Sequence, residues 1–172
     1  MAVPIKTAAE LVDAELEARW AARRAERRAD VLRHVLRRFA AEGGPVPVDA
    51  VCRAFPGRAP DTVRAELRDL DEKDFLVIRE DRVELAYPFS GAATAFAVIL
   101  PDGGERHACC AIDALGIAPM LRRSIAIRSE CHHCRASLGF TVTPAGPGPE
   151  ADGIMVWVGR RAPDQRRVCT TL

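Results

Sequence analysis

Apolar positions recur at helical spacing over the first third of the chain and alternate over much of the rest. Residues 7 to 41 are rich in Ala, Leu, Arg and Glu, all good helix formers. Thr7 and Glu10 fit a capping box at the start of this stretch, and Leu32, Val35, Leu36 and Phe39 make a core-facing stripe. A break near Ala29 or Asp30 would divide it into two helices. Gly43-Gly44-Pro45 stops it. Pro47 to Phe55 predicts a short second helix and Pro56-Gly57-Arg58-Ala59-Pro60 a turn. Asp61 then caps a third helix to about Lys73, with Val63, Leu67 and Leu70 inward. Strands at Phe75–Ile78 and Val83–Ala86 flank the polar turn Glu80-Asp81-Arg82. Helix, helix, turn, helix, hairpin is the order of a winged helix-turn-helix.

Pro88 to Thr94 is expected to be a linker. Ala95–Leu100 and Glu105–Cys109 predict a hairpin around Pro101-Asp102-Gly103-Gly104. A helix starts near Ala111 and is expected to break at Gly116 or Pro119. Ile125 to Cys131 alternates as a strand, with Ile125, Ile127 and Ser129 on one face and Ala126 and Arg128 on the other. Ser137–Thr143 is a second strand, Pro144–Gly153 a flexible surface loop, and Ile154–Val158 a third strand. The fold class is therefore α+β: an N-terminal winged helix-turn-helix-like helical domain, then a small, mostly antiparallel sheet packed with a helix. The corresponding boundaries are 1–30 for an N-terminal helical extension, 31–88 for the winged-helix-like domain and 95–172 for the domain with the chemistry.

Composition narrows the function. The chain has 172 residues, of which 48% are hydrophobic, enough for a real core. Lys and Arg number 25 against 24 Asp and Glu, a net charge of +1, so no global field draws it to nucleic acid or an acidic membrane. No apolar run approaches the roughly 20 residues needed to span a bilayer. Met1 to Lys6 lacks the apolar core of a signal peptide. A soluble, cytoplasmic protein is the expectation.

The eight arginines between Arg19 and Arg38 read first as a solvated helix face with intrahelical ion pairs. The third helix sets Arg64, Arg68 and Lys73 against Asp61, Glu66, Asp69, Asp71 and Glu72. A net negative would-be recognition helix repels phosphate, so DNA binding is not expected. A structural or dimerising role is, and the long N-terminal helix is a candidate homodimer surface.

The six cysteines are Cys52, Cys109, Cys110, Cys131, Cys134 and Cys169. Without an export signal, reduced thiols are expected, and clustered ones suggest metal or catalysis. Cys109-Cys110-Ala111-Ile112-Asp113-Ala114-Leu115 is apolar enough to be buried, yet carries two thiols and a carboxylate. With a helix starting near Ala111, Cys110 and Asp113 share one face. A soft ligand and a proton-carrying group would then point into the same space, which suits a thiophilic centre with a proton transfer. Simple structural burial of the pair is the competing reading. Cys131-His132-His133-Cys134 resembles half of a zinc site or a redox pair. A closed zinc site needs four ligands and no second Cys-x-x-Cys follows, so an ordinary turn with two thiols is the first expectation, ahead of structural zinc and a redox disulfide. His107 is expected to be a sheet residue rather than a ligand.

Cys110-Ala111-Ile112-Asp113-Ala114-Leu115, then Pro119, a strand and Cys131, resemble the organomercurial (alkylmercury) lyases. Leu138-Gly139-Phe140-Thr141-Val142-Thr143-Pro144 resembles the strand that follows in that family. The likeness spans roughly residues 31 to 169. It implies cleavage of a carbon–mercury bond by protonolysis, giving a hydrocarbon and Hg(II). It further implies that Cys110 and Cys169 hold mercury, that Asp113 helps protonate the carbon, and that Cys131 is structural. The family's N-terminal winged-helix-like domain does not bind DNA, which fits the acidic third helix.

No organic cofactor is implied. The expected partners are a small organomercurial substrate and small thiols that carry off Hg(II), the bound product. Two other functions fit the same residues. One is a thiol- or metal-responsive winged-helix transcriptional regulator with the cysteines as sensor. The other is an inactive lyase paralogue that still binds mercury.

Overall fold

A computed structural model describes residues 4–12, 14, 18, 21 and 29–158. Most of the arginine-rich stretch, and Cys169, lie outside the described residues. The chain divides into two compact units, Met1–Asp30 and Val31–Leu172. In the first, α1 (Ala8–Leu11) starts where the capping-box pattern puts it. The Glu10 carboxylate accepts from Thr7 N–H at 2.7 Å and from Thr7 Oγ1 at 2.8 Å.

The second unit begins in α2 (Ala29–Glu42). Its inward stripe is Val31, Val35 and Phe39, all fully buried, with Leu32 and Leu36 at the margin. Val35 and Phe39 of the predicted stripe are thus at its centre, Leu32 and Leu36 pack at its edge, and Val31 joins them as a fully buried position that the spacing had left out. Arg106, from a distant strand, closes the end of α2. Its Nε donates to Ala40 O at 2.9 Å and its Nη2 to Ala41 O at 2.6 Å, satisfying carbonyls that the helix leaves open. Gly44 follows where a Cβ would collide with the Phe39 ring.

Strand β1 (Val46–Pro47) leads into α3 (Val48–Arg53), then α4 (Pro60–Glu72). Ala59, not Asp61, is the N-cap of α4. Pro60 occupies the first helical position, where its fixed φ and missing N–H cost nothing, so the helix starts before Asp61. Val63, Leu67 and Leu70 point inward as expected. Several charges of α4 are engaged within the fold. Glu66 pairs with Arg58, Arg64 with Asp49 and with Asp81 at 3.1 Å, and Lys73 with Asp69 at 3.3 Å.

Strands β2 (Leu76–Arg79) and β3 (Arg82–Ala86) form the predicted hairpin. Its two loop residues, Glu80 and Asp81, both have positive φ, the conformation that matches strand twist in a two-residue turn. The expected linker, Pro88 to Thr94, contains a strand. Phe89–Ser90 is strand β4, paired with β3 on one side and with β6 (Glu105–Ala108) on the other. Phe89 is 1% exposed and lies 6.2 Å from Phe39, rings nearly parallel. A continuous antiparallel sheet results, in the order β1-β3-β4-β6-β5 (Ala97–Ile99)-β7 (Ile125–Glu130)-β8 (Ser137–Thr143)-β9 (Gly146–Pro147), with β2 also on β3. It runs through both halves of the sequence.

The rest of the sheet is β5 (Ala97–Ile99), β7 (Ile125–Glu130), β8 (Ser137–Thr143) and β9 (Gly146–Pro147). Ile125 and Ile127 are buried and Arg128 is exposed, as the alternation predicts. Helix α5 (Ala111–Leu121) packs Ala114, Ile117 and Ala118 inward and does not break at Gly116 or Pro119. Pro119 lies on the exposed side, and the stop comes three residues later. Arg122 is left-handed, and Arg123 N–H donates to Ala118 O at 3.2 Å, a closure that satisfies the last carbonyls.

Two other expectations change. The 144–153 segment is structured, with β9 and a 3-10 turn at Pro149–Ala151. Ile154–Val158 is not a strand. Its alternation finds no ladder partner among the described residues, and an apolar period makes a strand only beside an available edge. No helix among the described residues is long and apolar enough to cross a membrane.

Candidate active site

Strand β6 ends at Ala108 and α5 begins at Ala111, so Cys109 and Cys110 form the corner between sheet and helix. The corner is held from three directions. Cys109 N–H donates to Pro88 O at 3.1 Å. Thr94 Oγ1 donates to Ala108 O at 2.7 Å. Ala108 N–H donates to Phe96 O at 3.0 Å. Thr94 also accepts Phe96 N–H on the same Oγ1, at 3.1 Å. Two of these supports, Pro88 and Thr94, come from the stretch read as a linker. Sequence reasoning missed them; the one available signal was a large apolar residue, Phe89, inside a segment otherwise typical of a loop.

Cys110 is the N-cap of α5, with an extended backbone at φ −151° and ψ 178°. Its Sγ accepts Asp113 N–H at 3.4 Å. Its S–H donates to Asp113 Oδ2 at 3.0 Å. Cys110 takes the place that Ser, Thr, Asn or Asp usually fills. The i, i+3 reading on one helix face is therefore realised as a direct contact between thiol and carboxyl.

Both side chains are half-buried, and burial shapes their acidity. Removal from water disfavours thiolate and pushes the Cys110 thiol up to about 11, a rise only partly offset by the Asp113 N–H. Burial also raises the Asp113 carboxyl, and the hydrogen bond from Cys110 opposes that rise. Proton and acceptor thus meet in a partly dry corner where neither group ionises as readily as it would in water. Ile112 beside them is 57% exposed.

The other predicted residues lie elsewhere. His107 is in β6 opposite Ala97, accepts Thr94 N–H on Nδ1 at 3.4 Å and sits 3.7 Å from Glu105, the sheet position expected for it. Cys169 lies outside the described residues. Cys131 and Cys134 are free thiols in the turn between β7 and β8. Cys131 N–H donates to Ala136 O at 2.8 Å and Cys131 O accepts Arg135 N–H at 2.9 Å, with Arg135 left-handed. The backbone N–H groups of Cys134 and His133, and the Cys134 thiol, bond to Cys131 Sγ and hold that thiol below its usual range. Among the described residues, no group of three or more His, Cys, Asp and Glu is placed to hold a metal ion.

Residues 89–172 match the family model of alkylmercury lyase, MerB. The alkylmercury lyase of Staphylococcus epidermidis is 29% identical over 109 residues, which are 63% of this chain and 48% of that protein. The chain thus spans about half the length of that curated relative. The crystal structure of the mercury-bound form of MerB2 has the same fold at a TM-score of 0.61, with 21% identity over 72% of this chain and 59% of that one. Residues 89–172, the segment with the Cys110–Asp113 corner, are thus the part of the chain that is similar to the alkylmercury lyase family.

Proposed function

We propose that this protein cleaves the carbon–mercury bond of a small organomercurial by protonolysis, with Cys110 and Cys169 as the mercury-binding thiols and Asp113 as the proton carrier. The observation that carries the reading is the 3.0 Å contact between Cys110 S–H and Asp113 Oδ2, inside the segment that matches the family. Mercury is substrate here, not a resident cofactor.

The buried thiol is a weak nucleophile while protonated. An organomercury cation changes that. As Cys110 Sγ bonds to mercury, the S–H proton passes along the existing hydrogen bond to Asp113. The second thiol, Cys169, gives up its proton to water, or to the departing ligand of the substrate, and bonds to the same mercury. Two thiolates on mercury push electron density onto the carbon. Asp113 then returns its proton to that carbon. The C–Hg bond breaks, a C–H bond forms, the hydrocarbon departs, and Hg(II) remains on the two sulfurs. The sum is R–Hg–X plus two thiols giving R–H, HX and a mercury dithiolate, with no redox change. A raised carboxyl pKa favours this cycle, because the group must hold a proton between the two transfers.

Small free thiols are the exit route, since thiolate exchange removes Hg(II) without breaking a stronger bond. The experiment is hydrocarbon release from a simple organomercurial with excess free thiol. It compares the full chain with its Cys110→Ser, Asp113→Asn and Cys169→Ser variants. Release that disappears in all three supports the assignment. Stoichiometric mercury uptake without release by the unaltered chain points instead to a binding protein descended from the family. Release that survives Cys169→Ser shifts the second thiol to another residue, Cys109 first.

A further inference from the structure

The Cys131–Cys134 turn remains unused by that chemistry, and the sheet register places it informatively. On β5, Ala97 faces His107 of β6 and Arg128 of β7. Both neighbours run antiparallel to β5, so they run in the same direction as each other. Cys110 lies three residues beyond His107, and Cys131 three residues beyond Arg128. The catalytic corner and the dithiol turn therefore leave the same end of the sheet, on strands that flank β5. Two strand spacings amount to about 10 Å.

The turn itself is built around sulfur. Six residues, Cys131 to Ala136, connect the strands, and the Cys131–Ala136 and Cys131–Arg135 backbone bonds close the turn. The closure places Cys131 and Cys134 three positions apart in one tight turn. Cys134 is exposed and Cys131 half-buried. Soft thiolates select thiophilic ions. Two adjacent sulfurs without a third donor among the described residues suit an ion content with two ligands and do not suit tetrahedral zinc.

We propose that Cys131 and Cys134 form a second thiol site that binds a soft two-coordinate cation, Hg(II) being the one that the proposed reaction releases at the same end of the sheet. The choice of Hg(II) as natural occupant rests on the lyase reading; the dithiol geometry does not. Binding forms two Hg–S bonds. Any proton still on either sulfur goes to water, and no electron is transferred. The site would accept mercury leaving Cys110 and pass it on to free thiols.

The test supplies mercuric chloride directly to the intact chain, so that no turnover is required. Millimolar glutathione is included as a competing monothiol. Trypsin cuts after Arg128 and Arg135 and releases Ser129–Arg135, a peptide whose only cysteines are this pair. Its alkylation is followed by mass spectrometry in the unaltered chain, in Cys110→Ser and in Cys134→Ser. Mercury is expected to protect both cysteines equally in the unaltered chain and in Cys110→Ser. Removing the exposed Cys134 should weaken protection of Cys131 by about 100-fold, the loss expected when two linked ligands become one.

Alkylation unaffected by mercury, or protection of Cys131 that is the same in Cys134→Ser, would overturn the proposal. So would a peptide lighter by two hydrogens and restored by a phosphine, which is a disulfide. Hydrocarbon release is read on the same samples. Protection without release leaves the site standing and removes the lyase reading, whereas release without protection does the reverse.

Discussion

Cys110 Sγ and Asp113 Oδ2 lie 3.0 Å apart because Cys110 caps the helix that carries Asp113. The same sulfur takes Asp113 N–H at 3.4 Å. One backbone motif thus fixes both ends of a proton path, and no flexible loop is needed to bring thiol and carboxyl together. Asp113→Asn keeps the N–H bond and the shape of the side chain but cannot carry a proton. Hydrocarbon release should fall by about 100-fold or more, while stoichiometric Hg(II) uptake, measured by mass spectrometry, stays as in the parent. Release within a few-fold of the parent would place the proton on another group.

Cys110→Ser separates stability from chemistry. Serine is a better N-cap than cysteine by residue preference, and it fills less space in a half-buried corner. The thermal midpoint of the variant should equal or exceed that of the parent. Release should vanish, because an alkoxide does not replace a thiolate on mercury. A variant that loses release together with its folded structure would show that the cap depends on sulfur.

The thiols differ in the pH at which they react. Burial holds Cys110 up to about 11, while N–H donors hold Cys131 below the ordinary 9.0. Alkylation of Cys131 should therefore rise at lower pH than alkylation of Cys110, read peptide by peptide. Stability follows with opposite signs. The protonated Cys110 thiol is favoured by folding, so its contribution is whole below pH 9.0 and is lost as pH climbs toward about 11. Cys131, favoured as thiolate, contributes above the ordinary value and loses that contribution as pH falls through its lowered one. The denaturant midpoint should drop between pH 9 and 11 in the parent and drop less in Cys110→Ser. Equal drops would assign the effect to other groups.

The helix faces and the Cys110–Asp113 pair were legible because they depend on short, periodic spacings. Val63, Leu67 and Leu70 turn inward, and a helix starting at Ala111 forces its cap and third residue together. What escaped depends on partners distant in sequence. Phe89 reads as a loop residue until Ala86 and Ala108 are known to flank it. Ile154–Val158 reads as a strand until its edge proves to have no ladder among the described residues. Pro119 reads as a stop, but it faces outward, and packing of Ile117 and Ala118 carries the helix past it. In each case long-range contact overrode local preference. The placement of Cys131 at the same sheet end as Cys110 is of the same kind, visible only through the register on β5.

Phe89 supplies a direct check on the continuity of the sheet. Its ring is 1% exposed and stacks near Phe39. Truncation to alanine should cost about 3–5 kcal/mol, measured as a fall in the urea midpoint with one cooperative transition. A mild cost, or two separate transitions, would mean that the halves on either side of β4 fold independently.

Thr94 tests the corner from its other side. Its hydroxyl donates to Ala108 O at 2.7 Å and accepts Phe96 N–H at 3.1 Å, so it fastens the residue that leads into β5 to the last residue of β6 before the two cysteines. Thr94→Val preserves shape and removes both bonds, leaving a carbonyl and an N–H without that partner. A cost of about 1–3 kcal/mol follows from the desolvated groups. Because Ala108 is the residue from which Cys109 and Cys110 depart, loosening it also blurs the 3.0 Å thiol–carboxyl distance, and small misplacements of reacting groups slow chemistry steeply. Hydrocarbon release by Thr94→Val should therefore decline at temperatures well below its unfolding midpoint, with mercury uptake intact. Thr94→Ser, which restores the hydroxyl, should recover most of the rate. If both variants release hydrocarbon at the parent rate, the corner is held by Pro88 O and Phe96 O without help from Thr94.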